Sequence, residues 1–152
     1  KDMDFLARKL NLSPALYCKI ANRRQYIYKS SIITNFMEFV ALLSTGQGTW
    51  GQVSGLIKNG EWDKVILIGE KYAEKFTSDK QIEFVSVNFD QPVNSLKSEL
   101  MSKLKEKIKG IEVALSIASG TGKEHMALIS ALLQLPVGVR FFALTKDGVI
   151  EL

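Results

Sequence analysis

Residues 38–49 read Glu38-Phe-Val-Ala-Leu-Leu43 and then Ser44-Thr-Gly-Gln-Gly-Thr49, and this stretch decides how the rest of the chain is organised. An apolar run this short, closed by glycine and hydroxyl residues, reads as a strand covered on both faces, as in the middle of a parallel sheet. The chain then has helix-forming residues from Trp50 to Lys58, stopped by Asn59-Gly60. Strand, small-residue turn and helix in that order are the start of a strand–helix–strand unit.

Working outward, the alternation continues. Lys64–Ile68 reads as a second, mostly apolar strand, Glu70–Phe76 as a short helix and Ile82–Asn88 as a third strand. Val93–Lys109 is the longest helix candidate. Leu96, Leu100, Leu104 and Ile108 recur every four residues and give it one core-facing stripe. Ile111–Ala118 reads as a fourth strand and Glu124–Leu135 as an apolar helix broken by Pro136 and Gly138. Val139–Thr145 is a fifth strand, turned by Lys146-Asp147-Gly148 into Val149–Leu152. Repetition of this kind predicts parallel pairing through right-handed crossovers. The expected fold is α/β, a Rossmann-like three-layer sandwich with a mostly parallel sheet and a C-terminal antiparallel hairpin.

Residues 1–36 break the pattern and also carry the charge. The whole chain of 152 residues has a net charge of +4; residues 1–36 hold seven basic and two acidic groups, which leaves residues 37–152 at −1. A nucleic-acid surface is therefore expected, if anywhere, in the extension and not in the α/β domain. Asp4–Leu10, Asn11-Leu12-Ser13-Pro14 and Ala15–Arg24 read as helix, cap, helix, with Ser13 capping and Pro14 opening the second helix. Ala7, Leu10, Leu12 and Ile20 suit the inner face of a DNA-binding helix-turn-helix, although Tyr26–Phe36 is β-prone where a third helix belongs. One cysteine, Cys18, excludes an internal disulfide framework and a cysteine-based metal cluster, and one histidine argues against a His-ligated zinc. No cofactor or metal is expected. No apolar run approaches the length of a membrane helix, so a soluble, cytoplasmic protein is expected.

Ligands of open parallel sheets sit beyond the carboxyl ends of the strands. Two loops fall at that edge. The first contains Ser44, Thr45, Gly46, Gln47, Gly48 and Thr49. Its glycines let backbone N–H groups approach a ligand, and its hydroxyls add short donors. The second, Ser119-Gly120-Thr121-Gly122-Lys123, repeats the composition and adds a cation where the helix dipole disfavours one unless an anion is near. Together they predict a site for a phosphate-bearing ligand, most directly a nucleotide, with His125 and Trp50 as further candidates. His125 reads first as a structural histidine, and Trp50 either stacks on a base or lies beneath the loop. Two familiar motifs are not met. A P-loop requires glycine where Ile117 stands and a hydroxyl where Glu124 stands; Gly46, Gly48 and Gly51 match the dinucleotide fingerprint only loosely.

The strand leading into Ser44–Thr49, and Ser119-Gly-Thr-Gly-Lys-Glu-His-Met126 before an Ala/Leu-rich helix and a final hairpin, resemble the CRISPR-associated Rossmann fold (CARF) domains over residues 37–152. The family's second segment often runs Thr-Gly-Gly-Thr-Lys-x-Met. This chain has another glycine order and one extra residue before the methionine. The resemblance implies a homodimer binding a cyclic oligoadenylate, commonly the four-membered ring, in CRISPR signalling. Ser44, Thr45, Thr49 and Ser119 to Lys123 would line the pocket. Family members usually carry an effector domain after this part, whereas standalone members include metal-independent ring nucleases. There the critical groups map onto Ser44 or Thr45 and onto Lys123. A sensor that only binds, and a fragment lacking its effector, stay open beside that reading. So do a ligand-responsive DNA-binding regulator using residues 1–36, and a Rossmann-like enzyme acting on a mononucleotide or phosphosugar.

Overall fold

The computed structural model describes residues 36–45 and 47–152. The helix–cap–helix reading of the N-terminal segment, and Gly46 in the first loop, lie outside the described residues.

Strand β1 (Glu38–Leu43) is buried at every residue and leads into helix α1 (Gln47–Asn59). Then follow β2 (Lys64–Gly69), a 3-10 turn (Lys71–Lys75) and β3 (Ile82–Ser86). Helix α2 (Val93–Lys107), β4 (Glu112–Ser116), helix α3 (Gly122–Leu133), β5 (Gly138–Thr145) and β6 (Gly148–Glu151) complete the order. They form one six-stranded sheet in the order β3-β2-β1-β4-β5-β6. All neighbours are parallel except β5 and β6.

This order puts the helices on two faces. The chain steps from β1 to β2 to β3 in one direction with α1 and the 3-10 turn on one side. It then returns to the other side of β1 and steps to β4 and β5 with α2 and α3 on the opposite face. A fixed crossover hand demands that exchange of faces when the direction of travel reverses. The two cores record it. Phe39, Ala41, Leu43, Val65 and Leu67 pack with Val53, Leu56 and Ile57 of α1. Val40, Leu42, Ile66, Ile68, Val113 and Leu115 pack with the α2 stripe Leu96, Leu100 and Leu104 and with Ala127, Leu128, Ala131 and Leu132 of α3. The fold is thus the α/β, Rossmann-like sandwich expected, with its closing antiparallel pair.

Helix ends differ from the sequence reading by a few residues. Helix α1 starts at Gln47 and not Trp50, and α3 at Gly122 and not Glu124. Both first turns therefore include residues read as loop, because small hydroxylic and glycine residues suit a helix start as well as a turn. Gly60 ends α1 under Trp62: an added Cβ would stand 2.2 Å from the indole. Trp62 in turn stacks on Phe39 at 4.9 Å and donates its N–H to Leu56 O at 2.8 Å. Among the described residues no helix is long and apolar enough to cross a membrane.

The opposite end of β1 carries a buried carboxylate. Glu38 has no exposed surface, and its oxygens accept from Lys109 N at 2.9 Å and Gly110 N at 2.8 Å. Lys64 Nζ lies 3.8 Å away and pairs more tightly with Glu83 at 2.6 Å, which also holds Lys107 at 2.5 Å. The pin joins the foot of β1 to the turn between α2 and β4. Its removal strands buried N–H donors, so Glu38→Ala should lower stability by about 2–4 kcal/mol in urea denaturation, and Glu38→Gln by roughly half as much.

Hydrogen bonds from Lys107 and Lys64 hold the Glu83 carboxyl below its ordinary range. Burial pushes Glu99 up, but bonds from Lys103 and Gln91 outweigh it and the net direction is also down. A carboxylate depressed in the folded state adds stability above its unfolded pKa and loses it as pH falls through the folded value. Stability measured against pH should therefore be flat near neutrality and fall below about pH 4, and Glu83→Gln should flatten that fall.

Candidate functional site at the strand reversal

The strand order reverses between β1 and β4, which pair in parallel from Glu38–Val113 to Ala41–Ser116. The loops leaving these strands diverge to opposite faces; in open α/β sheets such a reversal marks the crevice at the carboxyl edge where ligands sit. The two loops singled out by composition meet there through one atom. Ser119 Oγ accepts from Ser44 N at 3.2 Å and from Thr49 Oγ1 at 3.0 Å. It keeps one O–H to donate.

The candidates divide into a floor and a rim. Ser44 and Ser119 are each about 1% exposed and form the floor. Ser44 Oγ is buried and has no hydrogen-bond partner among the described residues. Thr45, Gly48, Thr121 and Gly122 are exposed and form the rim, and Lys123 beside them is exposed as well. Of the two hydroxyls after β1, Thr45 is thus the one at the surface. Thr49, Trp50 and His125 are half-buried. The side chain of Gln47 lies outside the described residues.

Gly120 makes the second loop possible. Its φ is +114°, a left-handed conformation, and an added Cβ would stand 2.8 Å from His125 Nε2 and 3.0 Å from Leu42 Cδ1. His125 Nε2 lies 2.9 Å from Ser119 O. A carbonyl only accepts, so that nitrogen carries the proton. His125 therefore braces the loop.

Helix α3 opens with a capping box. Glu124 N donates to Thr121 Oγ1 at 3.4 Å and Thr121 N donates to Glu124 Oε2 at 2.9 Å. The Thr121-x-x-Glu124 spacing is a sequence signature of this cap, and it marks a role for Glu124 that a reading for phosphate passes over. It matters chemically, since a carboxylate 5% exposed already occupies this helix start. Helix α1 has no acidic residue in its first turn. An anion is accordingly better accommodated at the start of α1.

Lys123 does not stand over the loop. Its ammonium donates to Phe89 O at 2.6 Å and Gln91 O at 3.1 Å, tying α3 to the segment between β3 and α2. Trp50 donates its indole N–H to Ser44 O at 2.8 Å and stacks on Tyr72, with ring centroids 6.2 Å apart and planes 9° from parallel. Burial, followed by the carboxylates of Glu70 and Glu124, raises the Tyr72 phenol above its ordinary value and keeps it protonated. Glu70 follows the end of β2, where the dinucleotide fingerprint has its ribose-binding acid and Ile68-Gly69-Glu70 matches it only ambiguously; Tyr72 carries no sequence signal of its own and is brought to this edge by the 3-10 turn. A cavity of 440 Å³ lies along the same edge, with Glu70 and Lys71 on one side and Asn88, Glu99 and Lys103 on the other.

The dinucleotide fingerprint fails on geometry as well as on sequence. An added Cβ at Gly48 or Gly51 meets nothing within 4 Å. The close approach of α1 to the sheet is at Gly55, where a Cβ would stand 2.4 Å from Leu144 Cδ2. Among the described residues no group of three or more His, Cys, Asp and Glu is placed to hold a metal ion.

These glycines give a matched test. Gly120→Ala should destabilise by about 1–3 kcal/mol. Gly51→Ala, on an open helical surface, should stabilise by roughly 0.5–1 kcal/mol. Urea denaturation of the two variants measures both.

No protein-family model matches the chain and no curated protein matches its sequence, so the geometry of these two loops is what supports a functional reading.

Proposed function

We propose that the crevice between β1 and β4 binds a phosphodiester-linked nucleotide, a cyclic oligoadenylate in particular, as part of CRISPR-type signalling. The observation that carries the proposal is the joining of two Ser/Thr/Gly loops through Ser119 at the point where strand order reverses. The start of α1 is the place for a phosphate, and Thr45 is the exposed hydroxyl beside it. The Trp50–Tyr72 pair offers an aromatic face to a base, and Glu70 a hydrogen-bond acceptor to a ribose hydroxyl. The carboxylates of Glu70 and Glu124 oppose a terminal phosphate dianion more strongly than a phosphodiester with its single charge. A ring without terminal phosphates meets that condition better than a mononucleotide does. The CARF-like segment from Ser119 to Met126 supports the same choice. A cyclic ring on a two-fold axis calls for two copies of the chain.

The hydroxyl and lysine that a ring nuclease needs are Thr45 or Ser44 and Lys123. Cleavage places a ribose 2′-hydroxyl in line with its phosphate and stabilises the developing charge, for which Lys123 must leave the carbonyls of Phe89 and Gln91. Binding needs no such release, so the sensor is the form that the geometry favours.

A melting series with cyclic tri-, tetra- and hexa-adenylate, AMP, ATP and NAD, each mixture then chromatographed, tests the proposal. One ring at a hundred times its dissociation constant should add about 2.7 kcal/mol of stability, and Thr45→Val should remove most of that gain. Linear product would add the nuclease activity, and Lys123→Ala would then lower turnover far more than affinity. A response to AMP, ATP or NAD alone would replace this reading with that of a mononucleotide enzyme.

A further inference from the structure

The opposite edge of the sheet holds a second pocket, of 400 Å³, between the turn after α2 and the turn after α3. Its volume lies within the range of about 300–1,000 Å³ usual for small-molecule sites. Ile108, Ile111, Leu135, Pro136 and Val137 form the apolar walls, and Lys105 and Lys109 stand at the rim. Ile111 is 63% exposed, although it is a large aliphatic residue directly before a strand.

The polar groups of the walls are largely spent within the fold. Lys109 N and Gly110 N donate to Glu38, Ile108 N to Leu104 O, Val137 N to Leu135 O and Gly138 N to Ile111 O. Two ammonium groups are the exception. Unlike Lys64, Lys103 and Lys107, which pair with Glu83 or Glu99, Lys105 and Lys109 have no side-chain partner among the described residues. A pocket with apolar walls and two cations at its mouth that no described side chain pairs suits one kind of molecule: an apolar body ending in an anion.

We propose that this pocket binds a small apolar carboxylate, such as a medium-chain fatty acid. The chain lies against Ile108, Ile111, Leu135 and Val137, and the carboxylate sits between the Lys105 and Lys109 ammonium groups. The proposal is independent of the crevice between β1 and β4, which lies at the other end of the strands.

Titration of decanoate into the ¹⁵N-labelled full chain, below its micellar concentration and with decanol as the neutral control, tests this. Decanoate should shift the amides of Lys109 to Ile111 and of Leu135 to Gly138 saturably. It should bind at least about tenfold more tightly than decanol. Replacing Lys105 and Lys109 by Met keeps the aliphatic stems and should remove that preference. Ile111→Glu, at an exposed position that the fold tolerates, should abolish the shifts. Equal binding of decanoate and decanol, a preference that survives the double Met variant, or shifts that do not saturate at these amides would overturn the proposal.

Discussion

Strand β1 has no exposed residue, and the rest of the domain follows from keeping it so. Five apolar side chains and a carboxylate must be covered on both faces and both edges. The edges are covered by β2 and β4 in parallel register. The faces are covered by α1 on one side and by α2 and α3 on the other. Parallel neighbours on both edges oblige the chain to reverse its direction of travel beside β1, and the reversal opens the crevice at its carboxyl end. The foot of the strand is held by Glu38 on the turn after α2, and its head by the bond from Ser44 N to Ser119 Oγ. The same pairing of β1 with β4 thus makes the core and places the two loops together.

Charge distinguishes the two loops. Glycine and hydroxyl residues at two helix starts look equivalent until the side chains are placed. One start is already capped by Glu124, while the other has no acid in its first turn. Lys123, the cation that composition assigns to the ligand, spends its hydrogen bonds on two carbonyls of a neighbouring segment. The crevice is consequently less electropositive than its sequence implies. Under the proposed function, that difference favours a diester with one charge over a terminal phosphate with two.

The fold was legible because its signals are periodic and strong. The run from Phe39 to Leu43, short and closed by glycine and hydroxyl residues, reads as a central strand, and the four-residue spacing of Leu96, Leu100 and Leu104 identifies the buried face of α2. Helix starts were less legible, since the residues that make a good turn also make a good first helical turn. Within the candidate site, the composition of the two loops marked the carboxyl ends of β1 and β4, and the sheet order then sets those strands side by side. The atoms that join the loops were not legible. Nothing in the sequence pairs Ser119 with Ser44 and Thr49, which lie 75 and 70 residues away. Nor does it bring Tyr72 against Trp50. Such contacts are products of tertiary packing, whereas the Thr121–Glu124 cap is local and its spacing was there to be read.

Amide shifts of the ¹⁵N-labelled chain titrated with cyclic tetra-adenylate test the central claim most directly. The account predicts saturable shifts at Ser44, Thr45, Gly48, Ser119, Gly120 and Gly122, with the indole N–H of Trp50 moving alongside them. Lys109 to Ile111, at the other end of the strands, should stay in place. Saturable shifts confined to another part of the chain, or none at all while AMP or NAD moves the same loops, would contradict it.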